Sequence, residues 1–168
     1  VLRETVNKLG ETCNLVSIDG DSVAYIERVE TDAPLRMHLE PGTRAPLHCT
    51  AGGKLLLSQM ELAERTRLIN TLRLDRMTRN SIATPQDLSR ELDRIKAQGY
   101  GEDNEEFIVG MVGVSVPVRA PESNVTVAAL VCHAATARAD LRELSKKVPI
   151  LNLAAKRLST ILSPPCPA

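Results

Sequence analysis

With 168 residues, 43% of them apolar and 25% charged, the chain is long enough for one domain with a proper core and ordinary enough for a soluble globular protein. Its 21 basic and 21 acidic residues cancel, and it has one Phe, two Tyr and no Trp, which excludes the basic face of a typical DNA-binding domain and an aromatic platform for single strands. No apolar run reaches the roughly 18–20 residues that cross a bilayer, and Cys13, Cys49, Cys132 and Cys166 form no C-x-x-C pair behind any signal peptide, which points to a reducing cytoplasmic setting.

The chain starts at Val1 rather than at a methionine, and Leu2, Val6 and Leu9 recur at helical spacing. Residues 1–10 are therefore expected to be the end of a linker helix in a piece of a longer protein. TCNLVSI and SVAYIERVE are rich in β-branched residues and flank Asp19-Gly20-Asp21, the pattern of a hairpin. LRMHLE is expected as a third strand of the same meander. Pro41-Gly42 and Ala45-Pro46 mark a loop into HCTAGGKLLLSQM, where Thr50 can cap a helix that begins near the glycine pair.

A second helix is expected at 61–72 and irregular chain at 76–83. Thr84-Pro85-Gln86-Asp87 combines an N-cap, a proline at the first helical position and an early acid; Leu88, Leu92 and Ile95 supply the buried stripe and Gly99 the stop. A short extended piece near Tyr100, the acidic loop DNEEFIVG, and the strands MVGVSVPV and VTVAALVCH follow, joined by the turn Pro121-Glu122-Ser123-Asn124. Glu102, Glu105 and Glu106 read as solvated. The last element is a helix over about 140–162 with Leu141, Leu144, Val148, Leu151, Ala155, Leu158 and Ile161 on one face, kinked or restarted at Pro149. Residues 163–168 are expected to be a flexible tail. Strands, helices, strands and helix in that order predict an α+β fold, an antiparallel sheet with helices packed on it, over residues 11–162.

Two motifs carry a resemblance. PGTRAPLHCTAGGKLLL is similar to the segment G-x-x-x-P-L-H-C-T-A-x-G-K-A-L-L-A of IclR-type bacterial transcription regulators, and GYGEDNEEFIVGMVGVSVPV resembles that family's G-Y-x-x-D-D-E-E-x-x-x-G run at the matching distance. The resemblance implies a PAS/GAF-like effector-binding domain, dimeric or tetrameric, that takes a small organic acid. It also implies a winged helix-turn-helix domain, not among these residues, through which alone DNA would be bound. No cofactor and no membrane partner are implied.

The residues of the first motif support a ligand site on their own chemistry. Small residues let backbone amides approach a ligand, and the start of a helix leaves several amides unpaired with a partial positive charge that suits a carboxylate. The resemblance assigns the main-chain amides of Ala51 and Gly52 to the effector's acid group, the Asp103 side chain to its polar groups and Met37 to an apolar wall. Gly113 stands where some members carry Cys, and Val131 and His133 stand where they carry two Ser; strand alternation puts the last two on one face. Those departures predict a roomier, more apolar pocket and an effector larger than glyoxylate or pyruvate.

Three other readings remain at this stage. A metal site can be assembled from His38, His48, Cys49, Cys132 and His133, although adjacent His-Cys pairs are not the spacing of a zinc site. An enzyme would use Cys49 as nucleophile with His48 or His133 as base and Asp103 or a Glu as orienter. A ligand-free dimerisation module would use the first and last helices as its interface.

Overall fold

The computed structural model describes residues 1–38 and 43–161. Six strands form one antiparallel sheet: β1 (Thr12–Asp19), β2 (Ser22–Val29), β3 (Arg44–Pro46), β4 (Gly101–Asn104), β5 (Met111–Arg119) and β6 (Thr126–Ala135), in the order β3-β2-β1-β6-β5-β4. The helices are α1 (Leu2–Leu9), α2 (Ala51–Gln59), α3 (Leu62–Thr71), α4 (Pro85–Gln98), α5 (Leu141–Ser145) and α6 (Val148–Ile161). The α+β arrangement expected from the sequence is the one found.

The sheet is covered on both faces, and strand alternation sorts side chains between two cores. Cys13 and Leu15 of β1, with Leu130 and Cys132 of β6, join Val6 of α1 and Leu151 of α6 in one core. Val16 and Ala129 point the other way, toward Leu55 of α2 and Leu88, Leu92 and Ile95 of α4. The α4 stripe is fully buried, and each such side chain contributes about 1.5–3 kcal/mol by leaving water. Local signals set the boundaries. Gly20, at φ 64°, makes the turn between β1 and β2, Thr84 Oγ1 accepts from the Asp87 amide at 3.1 Å, and Asp140 with Glu143 closes a capping box on α5.

Two expectations need correction. Residues 35–38 of the predicted third strand form no strand; β3 lies further on at Arg44–Pro46, where it pairs with β2. The main chain at 35–38 is held by arginines instead: Arg138 donates to the Leu35 carbonyl and Arg28 to that of Met37. The terminal helix restarts as expected, with the break before Val148 and Pro149 in the first turn of α6, where a missing N–H costs no intrahelical bond; the correction is to its buried face. Ile161, expected on its buried face, is 66% exposed. The Pro41-Gly42 turn, the end of LRMHLE and the tail at 163–168 lie outside the described residues. No helix among the described residues is long and apolar enough to cross a membrane.

Candidate functional site

The site is built where α2 begins against the sheet. Thr50 is extended and caps the helix, its hydroxyl accepting from the Gly53 amide at 3.2 Å and donating to the Pro46 carbonyl at 2.8 Å. The Lys54 amide closes the first turn on the Thr50 carbonyl. The amides of Ala51 and Gly52 are left without an acceptor among the described residues, as first-turn geometry dictates. Glycine is required here for contact as well. A Cβ on Gly52 would stand 2.8 Å from Val16 Cγ2 and 2.9 Å from Val131 Cγ2, and one on Gly53 would stand 2.5 Å from the Leu47 carbonyl oxygen.

A cavity opens beside these amides. The centre of a water molecule can move through about 40 Å³ of it, within about 490 Å³ of empty space that includes its open mouth. All seven residues expected to bind the effector line it: Met37, Ala51, Gly52, Asp103, Gly113, Val131 and His133. Gly113 leaves real space, since a Cβ there would only reach ordinary contact with Ala51 Cβ, at 3.5 Å, and Asp103 Cβ, at 3.7 Å.

Asp103, on β4, accepts from the Glu106 amide at 2.7 Å. Burial pushes its carboxyl up to about 7, and the neighbouring Glu106 carboxylate pushes the same way against the pull of Lys54. Glu106 is not solvated as the acidic run suggested. It is buried, with Oε1 2.6 Å from Nζ of a fully buried Lys54, which also reaches Glu91 at 3.3 Å. Burial raises the Glu106 carboxyl as well. Glu102 is likewise engaged, 2.8 Å from Arg94. The wall around Asp103 is thus an ion cluster that the sequence, with its partners at positions 54 and 91, did not reveal.

His133, on β6, is 8% exposed. Its Nδ1 lies 3.0 Å from Asn14 Nδ2, and Asn14 Oδ1 accepts from Arg28 Nη1 at 2.8 Å. Burial, followed by the Arg28 charge, pushes the imidazole down to about 3, so it is neutral at physiological pH. Asn14 and Arg28 were missed. A signal existed for Asn14: a polar residue two positions from Val16 in an apolar strand shares its face. Tyr25 and Phe107 also line the cavity and were missed, having no pattern that distinguishes them from core.

The groups required by the enzyme reading are otherwise engaged. Burial, reinforced by Asp103, pushes the Cys49 thiol up to about 12, away from the thiolate a nucleophile needs. His48 spends Nε2 on the Asp75 carbonyl at 2.9 Å. The metal reading fares no better: His38 pairs with Glu30, Cys132 faces the opposite core from His133, and no three His, Cys, Asp or Glu side chains converge among the described residues.

Residues 1–160 match the family model for the bacterial transcriptional regulator IclR C-terminal domain. The chain belongs to this IclR family. It is 43% identical over 158 residues to the probable transcriptional regulator SauR of Cupriavidus necator, covering 94% of this chain and 62% of SauR. It therefore spans less than two thirds of that relative. The crystal structure of the C-terminal domain of Escherichia coli KdgR superposes with a TM-score of 0.84 at 32% identity, over 95% of this chain and 92% of that one. The inducer-binding domain of Acinetobacter PobR, a double mutant in complex with 3-hydroxybenzoic acid, gives 0.86 at 27% identity, over 96% and 94%. These relatives are named as regulators, and this IclR-family domain is an effector-binding domain rather than an enzyme.

Proposed function

We propose that the cavity binds a small carboxylic acid whose carboxylate is held by the Ala51 and Gly52 amides, with Asp103, Gly113, Val131, His133 and Met37 shaping the remainder of the site. The carrying observation is the pair of unpartnered amides at the start of α2 on the cavity wall. Asp103 supports it: below about pH 7 the carboxyl is protonated and offers an acid a donor instead of a charge. That the related PobR domain was crystallised with 3-hydroxybenzoic acid supports the same chemistry. Gly113 supports an effector larger than glyoxylate or pyruvate, since the wall there carries no side chain.

In the whole protein, residues 1–10 continue a helix from a winged helix-turn-helix domain, residues 11–162 sense the effector, and the protein works in the cytoplasm as a homodimer or homotetramer. Effector binding favours one arrangement of subunits over another and so shifts DNA binding, with a coupling of about 1–3 kcal/mol. Calorimetric titration with a panel of small acids and their amides tests the site. Acids are expected to bind and amides to bind at least tenfold more weakly; equal binding of amides removes the carboxylate reading, and preference for glyoxylate removes the larger effector.

A further inference from the structure

We propose that His133 is a fixed hydrogen-bond donor in the cavity wall, held with its proton on Nε2 by Arg28 through Asn14, and that the effector therefore carries an oxygen acceptor apart from its carboxylate. This rests on the carboxylate reading above and adds a second recognition point to it. A guanidinium only donates, so the 2.8 Å contact from Arg28 Nη1 identifies the Asn14 atom it meets as the amide oxygen. The Asn14 NH2 then faces His133 Nδ1 at 3.0 Å. An NH2 cannot accept, so Nδ1 presents its lone pair and the single proton of the neutral ring is on Nε2. Protonating Nδ1 would set two donors against each other beside a guanidinium.

Arg28 is itself fixed. Its Nε lies 3.1 Å from Glu30 Oε1 and its Nη2 donates to the Met37 carbonyl. The relay therefore runs from the residues bordering Met37 to the imidazole. At its end Nε2 is buried and has no acceptor among the described residues. A buried donor without a partner is costly, and since His133 lines the cavity, the proposal places the missing acceptor on a molecule bound there. A ketone, hydroxyl or second carboxylate oxygen fits; a plain alkyl acid leaves the donor unpaired.

Nitrogen-15 NMR of the imidazole in the unliganded 168-residue chain reads the tautomer directly. The Nε2–H form is expected, and an Nδ1–H form overturns the proposal. Asn14→Asp, whose carboxylate accepts, is expected to move the proton to Nδ1; an unchanged tautomer in that variant removes Asn14 as the positioning residue and overturns the relay. Calorimetry with butyrate against 2-, 3- and 4-hydroxybutyrate reads the ligand side. At least one hydroxy acid should bind on the order of tenfold more tightly than butyrate. That preference should vanish in His133→Leu and survive in part in His133→Gln, which keeps a donor. No gain from a hydroxyl at any position, or a gain that persists in His133→Leu, overturns the donor and leaves the carboxylate reading standing. Failure of all four acids to bind overturns both.

Discussion

Asp103 and His133 line the same cavity with opposite responses to pH. In the folded chain Asp103 keeps its proton up to about 7, against an ordinary value of 3.8. Its contribution to stability is therefore full below about pH 4 and is lost as pH rises to about 7, because the unfolded chain has already released that proton. His133 is pushed down to about 3 from 6.5, so its contribution is present above 6.5 and lost as pH falls toward 3, where the unfolded chain gains a proton that the fold refuses. The two slopes overlap and partly cancel in the native chain. Asp103→Asn keeps an oxygen for the Glu106 amide and removes the first slope. It should raise stability at pH 8 by about 1–3 kcal/mol and leave a steady gain between pH 4 and 6.5. Urea unfolding across that range checks it; an unaltered pH profile would place the ionised Asp103 in an environment that tolerates its charge. Ala51 and Gly52 could be found in the sequence because a Thr cap and small residues before an apolar run announce a helix start. Asn14 left only the trace of a polar residue in an apolar strand, and Arg28 left none, because the meaning of both lies in a partner at position 133.

At the level of the element, α2 owes its position to what it lacks. The Gly52 Cα rests against Val16 and Val131 side chains, whereas Gly53 rests against the main chain of Leu47. Side chains can yield and main chain cannot. Gly52→Ala is expected to cost about 1–3 kcal/mol, the usual range for overpacking, and Val131→Ala should recover part of that cost in a double-mutant cycle. Gly53→Ala should be the more damaging, with no rescue from the same partner. Additive effects of the Gly52 and Val131 changes in denaturant unfolding would mean that α2 shifts bodily instead. The same logic explains the third strand. LRMHLE has the composition of a strand, but Arg138 satisfies the Leu35 carbonyl and Arg28 that of Met37, so residues 35–38 take these bonds from side chains and not from a ladder. Propensity is legible locally; a competitor 103 residues away in the chain is not.

Across the whole molecule, the order of elements was readable but the sheet order was not, since β1 finds β6 through pairs such as Thr12 with His133. One residue spans the same gap on the surface. Arg138 meets buried Glu11 at 2.7 Å just after α1 and donates to the Leu35 carbonyl, two residues before Met37. Arg138→Met should cost about 1–3 kcal/mol, since it leaves a buried carboxylate unpaired. Amide hydrogen exchange should quicken at residues 31–38 while α4 is unchanged. Equal quickening in α4 would show general loosening and refute Arg138 as a local tie.

Strand β6 has one further consequence. Ala128, Leu130, Cys132 and Ala134 belong to the core with α1 and α6, while Ala129, Val131 and His133 face α2 and the cavity. Shifting the strand by a single residue would bring Cys132 to the cavity and bury the imidazole in oil, so the register must be kept. Within it, alternate positions are free of one another: the cavity wall can be rewritten every second residue while the scaffold behind it keeps its alphabet.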